Sequence, residues 1–114
     1  MLMKLRYHRT LTREKWSTFS FTQQILMIAN ELNRAGNWIA KNDFTEAKLC
    51  YERAMELLYL TVDILKDFKK LRELLRFKEM LAQLYIKDKL SITENASLLS
   101  ALVLLDKGSY QLLH

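Results

Sequence analysis

FTEAKLCYERAMELLYLTVDILK, residues 44–66, is the stretch on which the fold turns. Phe44, Ala47, Tyr51, Ala54, Leu58 and Leu65 recur at steps of three, four and seven, which sets them on one stripe of an α-helix. Leu49, Leu57, Leu60 and Ile64 form a second stripe, about 120° further round at about 100° per residue. A helix on the outside of a small domain needs one apolar stripe. The second must face another element, another copy of the chain, or a partner. This predicts a non-catalytic protein that works by association. The expected form is a homodimer, or a complex with another helical protein, with Leu49, Leu57, Leu60, Ile64, Trp38 and Met27 at the interface. The alternative is that this helix is simply central and covered on two sides.

Working outward, Asn42-Asp43 ends the preceding pattern, and Asp43 with Glu46 three residues on reads as the cap of the central segment. Upstream, Ile25, Ile28, Leu32, Ala35 and Ile39 make the stripe of a first helix, with Gln23, Asn30, Asn33, Arg34, Asn37 and Lys41 solvated. Its start lies between Thr12 and Thr22. Thr12 caps the earlier start; Ser20 with Gln23 is a capping-box pattern for the later one. Downstream, Asp67 is the only cap, so the second and third helices are either separate or one long bent helix. Leu71, Leu74, Leu75, Leu81, Ala82 and Tyr85 are the third helix's inner stripe. Ser91 with Glu94 starts a fourth, carrying Ile92, Ala96, Leu99, Leu102 and Val103, and Gly108 suits the position after its end.

The expected fold is therefore all-α: a four-helix up-and-down bundle over residues 12–108. A basic N-terminal arm at 1–11 alternates like an extended or edge strand, and a tail covers 109–114. The predicted core is Ile25, Ile28, Leu32, Ile39, Phe44, Ala47, Tyr51, Ala54, Leu58, Leu74, Leu81, Tyr85 and Leu99.

Composition agrees. The chain has 114 residues, half of them apolar, with no proline and two glycines. That is one domain with too few turn formers for a sheet protein. The lone Cys50 excludes an internal disulfide and reads as a small buried apolar residue. No run of about 18 uncharged apolar residues is present to span a membrane, and the charged start has no signal-peptide apolar region, so the expected location is cytoplasmic.

The residue types of catalysis are sparse. His8 lies in the arm and His114 at the end; no Glu-x-x-His pair supports a di-iron site, and no phosphate loop or nucleophile triad stands out. Glu52 and Glu56, with Lys48 nearby, read as a solvated strip. Neither an enzyme, a metal nor a cofactor is expected. The charge of +5 is uneven: residues 1–30 hold five Lys or Arg against one Glu, and residues 66–89 eight against four acids. The alternative function is accordingly a nucleic-acid-associated module using Lys4, Arg6, Arg9 and Arg13 of the arm with Lys69, Lys70, Arg72 and Arg76 of helix three.

Ala35, Trp38, Phe44, Ala47, Tyr51 and Ala54 stand at the small and aromatic positions of one tetratricopeptide hairpin, which residues 35–54 resemble. No second copy follows, so the likeness implies hairpin packing and not a peptide-binding array. Trp16-x-x-Phe19, Gln23-Gln24, Ile28-Ala29-x-Glu31-Leu32-x-Arg34-Ala35, Tyr51-Glu52-Arg53-Ala54-x-Glu56-Leu57-Leu58 and Leu71-x-Glu73-Leu74-Leu75-Arg76-x-Lys78-Glu79 resemble a family of small uncharacterised prokaryotic helical proteins. That resemblance implies no activity. Helix order and the Asn42-Asp43 turn are faintly similar to flagellar export chaperones, which wrap a partner's helices. The shape also resembles HEPN-type domains, including non-catalytic ones that partner nucleotidyltransferases. The Arg that catalytic members place shortly before a His is missing here.

Overall fold

A computed structural model describes residues 5–107. They are all-helical, with five helices in place of the four expected: α1 (Arg13–Ser17), α2 (Phe21–Ala40), α3 (Phe44–Ile64), α4 (Phe68–Tyr85) and α5 (Ile92–Val103). The extra helix arises because both candidate starts are used. The Thr12 hydroxyl accepts from the Lys15 N–H and caps α1. Ser20 and Gln23 then close a full capping box and start α2 separately.

The turn after α2 is compact for a stated reason. Asn42 adopts the left-handed conformation, with φ at 60°. Its N–H donates to the Ile39 carbonyl, while the Asp43 N–H donates to that of Trp38. That is a Schellman end with Asn where Gly is commonest. Asp43 at once caps α3 by accepting from the Glu46 N–H, so α3 doubles back along α2. Between α3 and α4, Leu65 is extended and the Asp67 side chain accepts from the Lys70 N–H. The two helices are thus separate.

Central α3 packs against α1, α2 and α4, and α5 closes the domain against α2 and α4. Trp16 anchors the short α1. It is fully buried; its indole N–H donates to the Thr61 hydroxyl at 3.0 Å, and Gln24 donates to its carbonyl. Of the predicted core, Phe44, Tyr85 and Leu99 are half-buried and the rest are buried.

Three expectations are corrected. Leu75 and Ala82 face out of α4, and Phe77 faces in beside Leu74 and Leu81. On α5 the inner face is Asn95, Leu98, Leu102 and Val103, while Ile92 and Ala96 are exposed. The arm contains no strand among the described residues. Successive N–H groups of a strand point to opposite sides, whereas those of Arg6, Tyr7 and His8 all converge on one carboxylate of Glu56. Lys4, Gly108, the tail at 109–114 and His114 lie outside the described residues.

Candidate interaction surface

The six residues expected at a self-interface do not form one exposed face. Leu57 and Leu60, 3% and 5% exposed, belong to the core. Leu49, Ile64, Trp38 and Met27 are half-buried, and the Lys41 ammonium sits 5.1 Å above the Trp38 ring. Packing within the chain thus covers Leu57 and Leu60 of the second stripe of α3 and leaves Leu49 and Ile64 partly open.

The basic residues separate into two kinds. Two of the arm and α1 lie against acids of α3: Arg6 is 3.7 Å from Glu52, and Arg13 is 3.3 Å from Asp63. The Arg9 guanidinium donates to the Arg6 carbonyl, and Lys70 lies over the Phe21 ring. By contrast Lys69, Arg72 and Arg76 are exposed on α4 and, with Glu73, line a shallow hollow of about 320 Å³. Among the described residues none of the three has a carboxylate within 4.0 Å.

Next to them runs an apolar strip. Phe68, Leu75 and Ala82 are spaced by seven, and Ile86 follows four further on, so they share one side of α4. Phe68 is 71% exposed, Leu75 41% and Ile86 76%; Ala82 is exposed and Leu71 half-buried beside them. The strip lies opposite the buried Leu74, Phe77 and Leu81. The cations follow the same helix roughly a quarter-turn round, at about 100° per residue. Exposed Glu79 stands between strip and cations.

The charged cluster on α3 is a clamp for the arm and not the solvated strip expected of Glu52 and Glu56. Glu56 is buried. Glu52 accepts from the hydroxyls of Tyr7 at 2.5 Å and Tyr85 at 2.8 Å. Burial pulls the Glu52 carboxyl up, but those two hydroxyls, with Arg6 and Arg53, outweigh it and hold the group below its ordinary value. Their bonds to Glu52, and then burial, push Tyr7 and Tyr85 up. These shifts keep the carboxylate ionised and the phenols neutral. The next residue, Arg53, bonds Glu31 at 2.9 Å, and Arg34 reaches the other oxygen of Glu31 at 3.0 Å. Cys50 is fully buried beside Arg53, and burial raises its thiol.

A second groove, of about 340 Å³, lies between α2 and α5 over Leu26, Ala29, Leu99 and Val103. Among the described residues no cluster of His, Cys, Asp and Glu could hold a metal ion, and no helix is long and apolar enough to cross a membrane. No family model matches the chain, and neither a curated protein nor a solved structure is significantly similar to it.

Sequence reasoning misses the outer face of α4 although its step of seven is visible, because Leu75 and Ala82 lie on one arc with Leu71 and read as part of the same inner stripe. Nothing local marks Glu56 as the anchor of the arm, since its partners are 48 to 50 residues away.

Proposed function

We propose that this protein is a non-catalytic association module whose docking surface is the outer side of α4. In this reading α2, α3, α4 and α5 form an up-and-down bundle, with α1 and the arm laid across α3, and α4 is the helix left open to a partner. The observation that carries it is the exposed strip of Phe68, Leu75, Ala82 and Ile86 on a helix that buries Leu74, Phe77 and Leu81 on its other side. Scattered exposed apolar residues need no explanation, but an aligned row edged by charge marks an interaction site. Burying such a row yields about 25 cal/mol per Å², set against the rotational and translational cost of association. The partner is a helical protein or a second copy. The nucleic-acid reading draws on fewer groups, since Arg6 and Arg13 face acids of α3.

A photo-crosslinking amino acid at position 75, compared with one at exposed position 45 on α3, tests this in cells making the protein. Adducts at 75 and none at 45 support the surface, and their mass separates self from partner. Equal adducts at both positions, or none at 75, would overturn it.

A further inference from the structure

We infer that the α4 surface takes an acidic amphipathic helix of another protein, a conclusion that rests on the association reading above. From Phe68 to Ile86 the strip runs about 27 Å at about 1.5 Å per residue. It is long and narrow, with Phe68, Leu75 and Ala82 at heptad spacing and Ile86 at the C-cap, which is the shape a second helix fills.

The charge beside the strip selects the kind of helix. Lys69, Arg72 and Arg76 sit along one edge with no carboxylate within ion-pair distance among the described residues. A partner with Glu or Asp on its flank neutralises that edge while its apolar face covers Phe68, Leu75 and Ile86. A second copy would bring the same cationic excess to the seam, and the chain as a whole carries +5. An anionic bilayer or a nucleic acid would lay negative charge over Glu79 as well as over the cations, whereas a helix can set its acids opposite Arg72 and Arg76 and a neutral or basic residue opposite Glu79. Leu75 and Ile86 also have nothing to gain from a phosphate backbone. A protein helix meets both features, with an apolar row for the strip and a short alternation of charge for Arg72, Arg76 and Glu79.

The test uses the full chain and two labelled helical peptides of about three heptads. Both carry Leu on one face; one has Glu at the flanking positions and the other Lys. By fluorescence anisotropy the Glu peptide should bind about tenfold tighter or more, the scale of two or three surface ion pairs. The preference should shrink with added salt. Arg72→Glu with Arg76→Glu should reverse it. Both positions are exposed, and an unchanged circular dichroism spectrum checks the fold. Leu75→Ser should weaken both peptides. Equal binding of the two peptides, lost in Leu75→Ser, overturns the acidic partner while keeping the α4 surface. Binding that ignores Leu75→Ser overturns both. Failure of both peptides, or tighter binding to phosphatidylserine vesicles or single-stranded RNA, overturns the acidic-helix inference.

Discussion

The Glu56 carboxylate accepts the Tyr7 backbone N–H at 2.8 Å, and the N–H groups of Arg6 and His8 close on its other oxygen at 3.0 and 3.3 Å. A buried side chain of α3 thus supplies the hydrogen bonds that the arm's own backbone does not make. Charge-assisted bonds of this kind are stronger than neutral ones. The carboxylate in turn is stable in its buried position because three donors replace its water.

Removing that anchor should free the arm without disturbing the helices. Glu56→Ala leaves the three N–H groups to solvent, at a cost of about 1–3 kcal/mol. Hydrogen exchange at the amides of Arg6, Tyr7 and His8 should accelerate, while that of core positions such as Leu32 and Leu58 should not. Amides of the arm that stay protected in the variant would show that the segment is held by something else.

The second clamp makes the arm sensitive to pH at both ends of the scale. Glu52 has a depressed pKa in the folded chain, so its contribution is complete above the ordinary carboxylate value and is lost as pH falls through the folded value. Tyr7 and Tyr85 are raised, so theirs is complete below the ordinary value of 10.0 and is lost as pH rises through the folded values. Arg6 and Arg53 face the same site, and their charge helps to hold the Glu52 carboxyl down. Proteolysis of the arm should therefore be slow from mildly acidic pH to about 10 and faster beyond either limit. Tyr7→Phe with Tyr85→Phe should flatten the alkaline limb. An unchanged alkaline limb in that double variant would sink the assignment.

The helices were legible because they are local. Ser20 with Gln23, Asp43 with Glu46, Asp67, and Ser91 with Glu94 each place a cap within three residues of the group it satisfies. The turn at Asn42 was equally plain. Faces were harder. On α4, Leu71, Leu74, Leu75, Phe77 and Leu81 spread over nearly half of the helix at about 100° per residue, wider than one packed stripe, so periodicity does not choose which edge is buried. The choice is made by where α3 and α5 lie, which is tertiary. The arm's alternation suggested a strand, yet its backbone donors had a better acceptor in Glu56, 48 to 50 residues away. The α4 cations were singled out from sequence, but not that the arm's cations would face acids of α3.

Gly36 offers a test of polar packing inside the core. A Cβ there would come to 3.0 Å from the Asn95 amide nitrogen. Asn95 is buried and has little freedom: it donates to the Leu32 carbonyl at 3.0 Å and accepts from the Tyr51 hydroxyl at 2.6 Å. Gly36→Ala gains about 1 kcal/mol of helix propensity, but displacing a buried amide costs about 1–3 kcal/mol. The net effect should be destabilising in the natural chain and stabilising in an Asn95→Ala background, which a double-mutant cycle by urea unfolding resolves. Burial, chiefly, pushes Tyr51 up to about 12. The Gly36→Ala variant should ionise this phenol at lower pH as its site loosens. Stabilisation by Gly36→Ala alone would mean that Asn95 yields freely.

A pair of matched substitutions separates the buried stripe of α3 from the open strip of α4. Leu60 is 5% exposed within the core and Leu75 is 41% exposed outside it. Leu60→Glu puts a carboxylate among apolar side chains, and a loss of about 3 kcal/mol or more is expected, a large fraction of a small domain's stability. Leu75→Glu should change stability by about 0.5 kcal/mol or less, while weakening association through α4. Urea unfolding gives the first comparison, and light scattering, or peptide binding where the chain is monomeric, gives the second. A Leu60→Glu chain that stays folded and stable but falls from dimer to monomer would assign the α3 stripe to a self-interface. A strongly destabilised Leu60→Glu chain beside a Leu75→Glu chain of unchanged stability would place the α3 stripe in the core and leave α4 as the proposed docking surface.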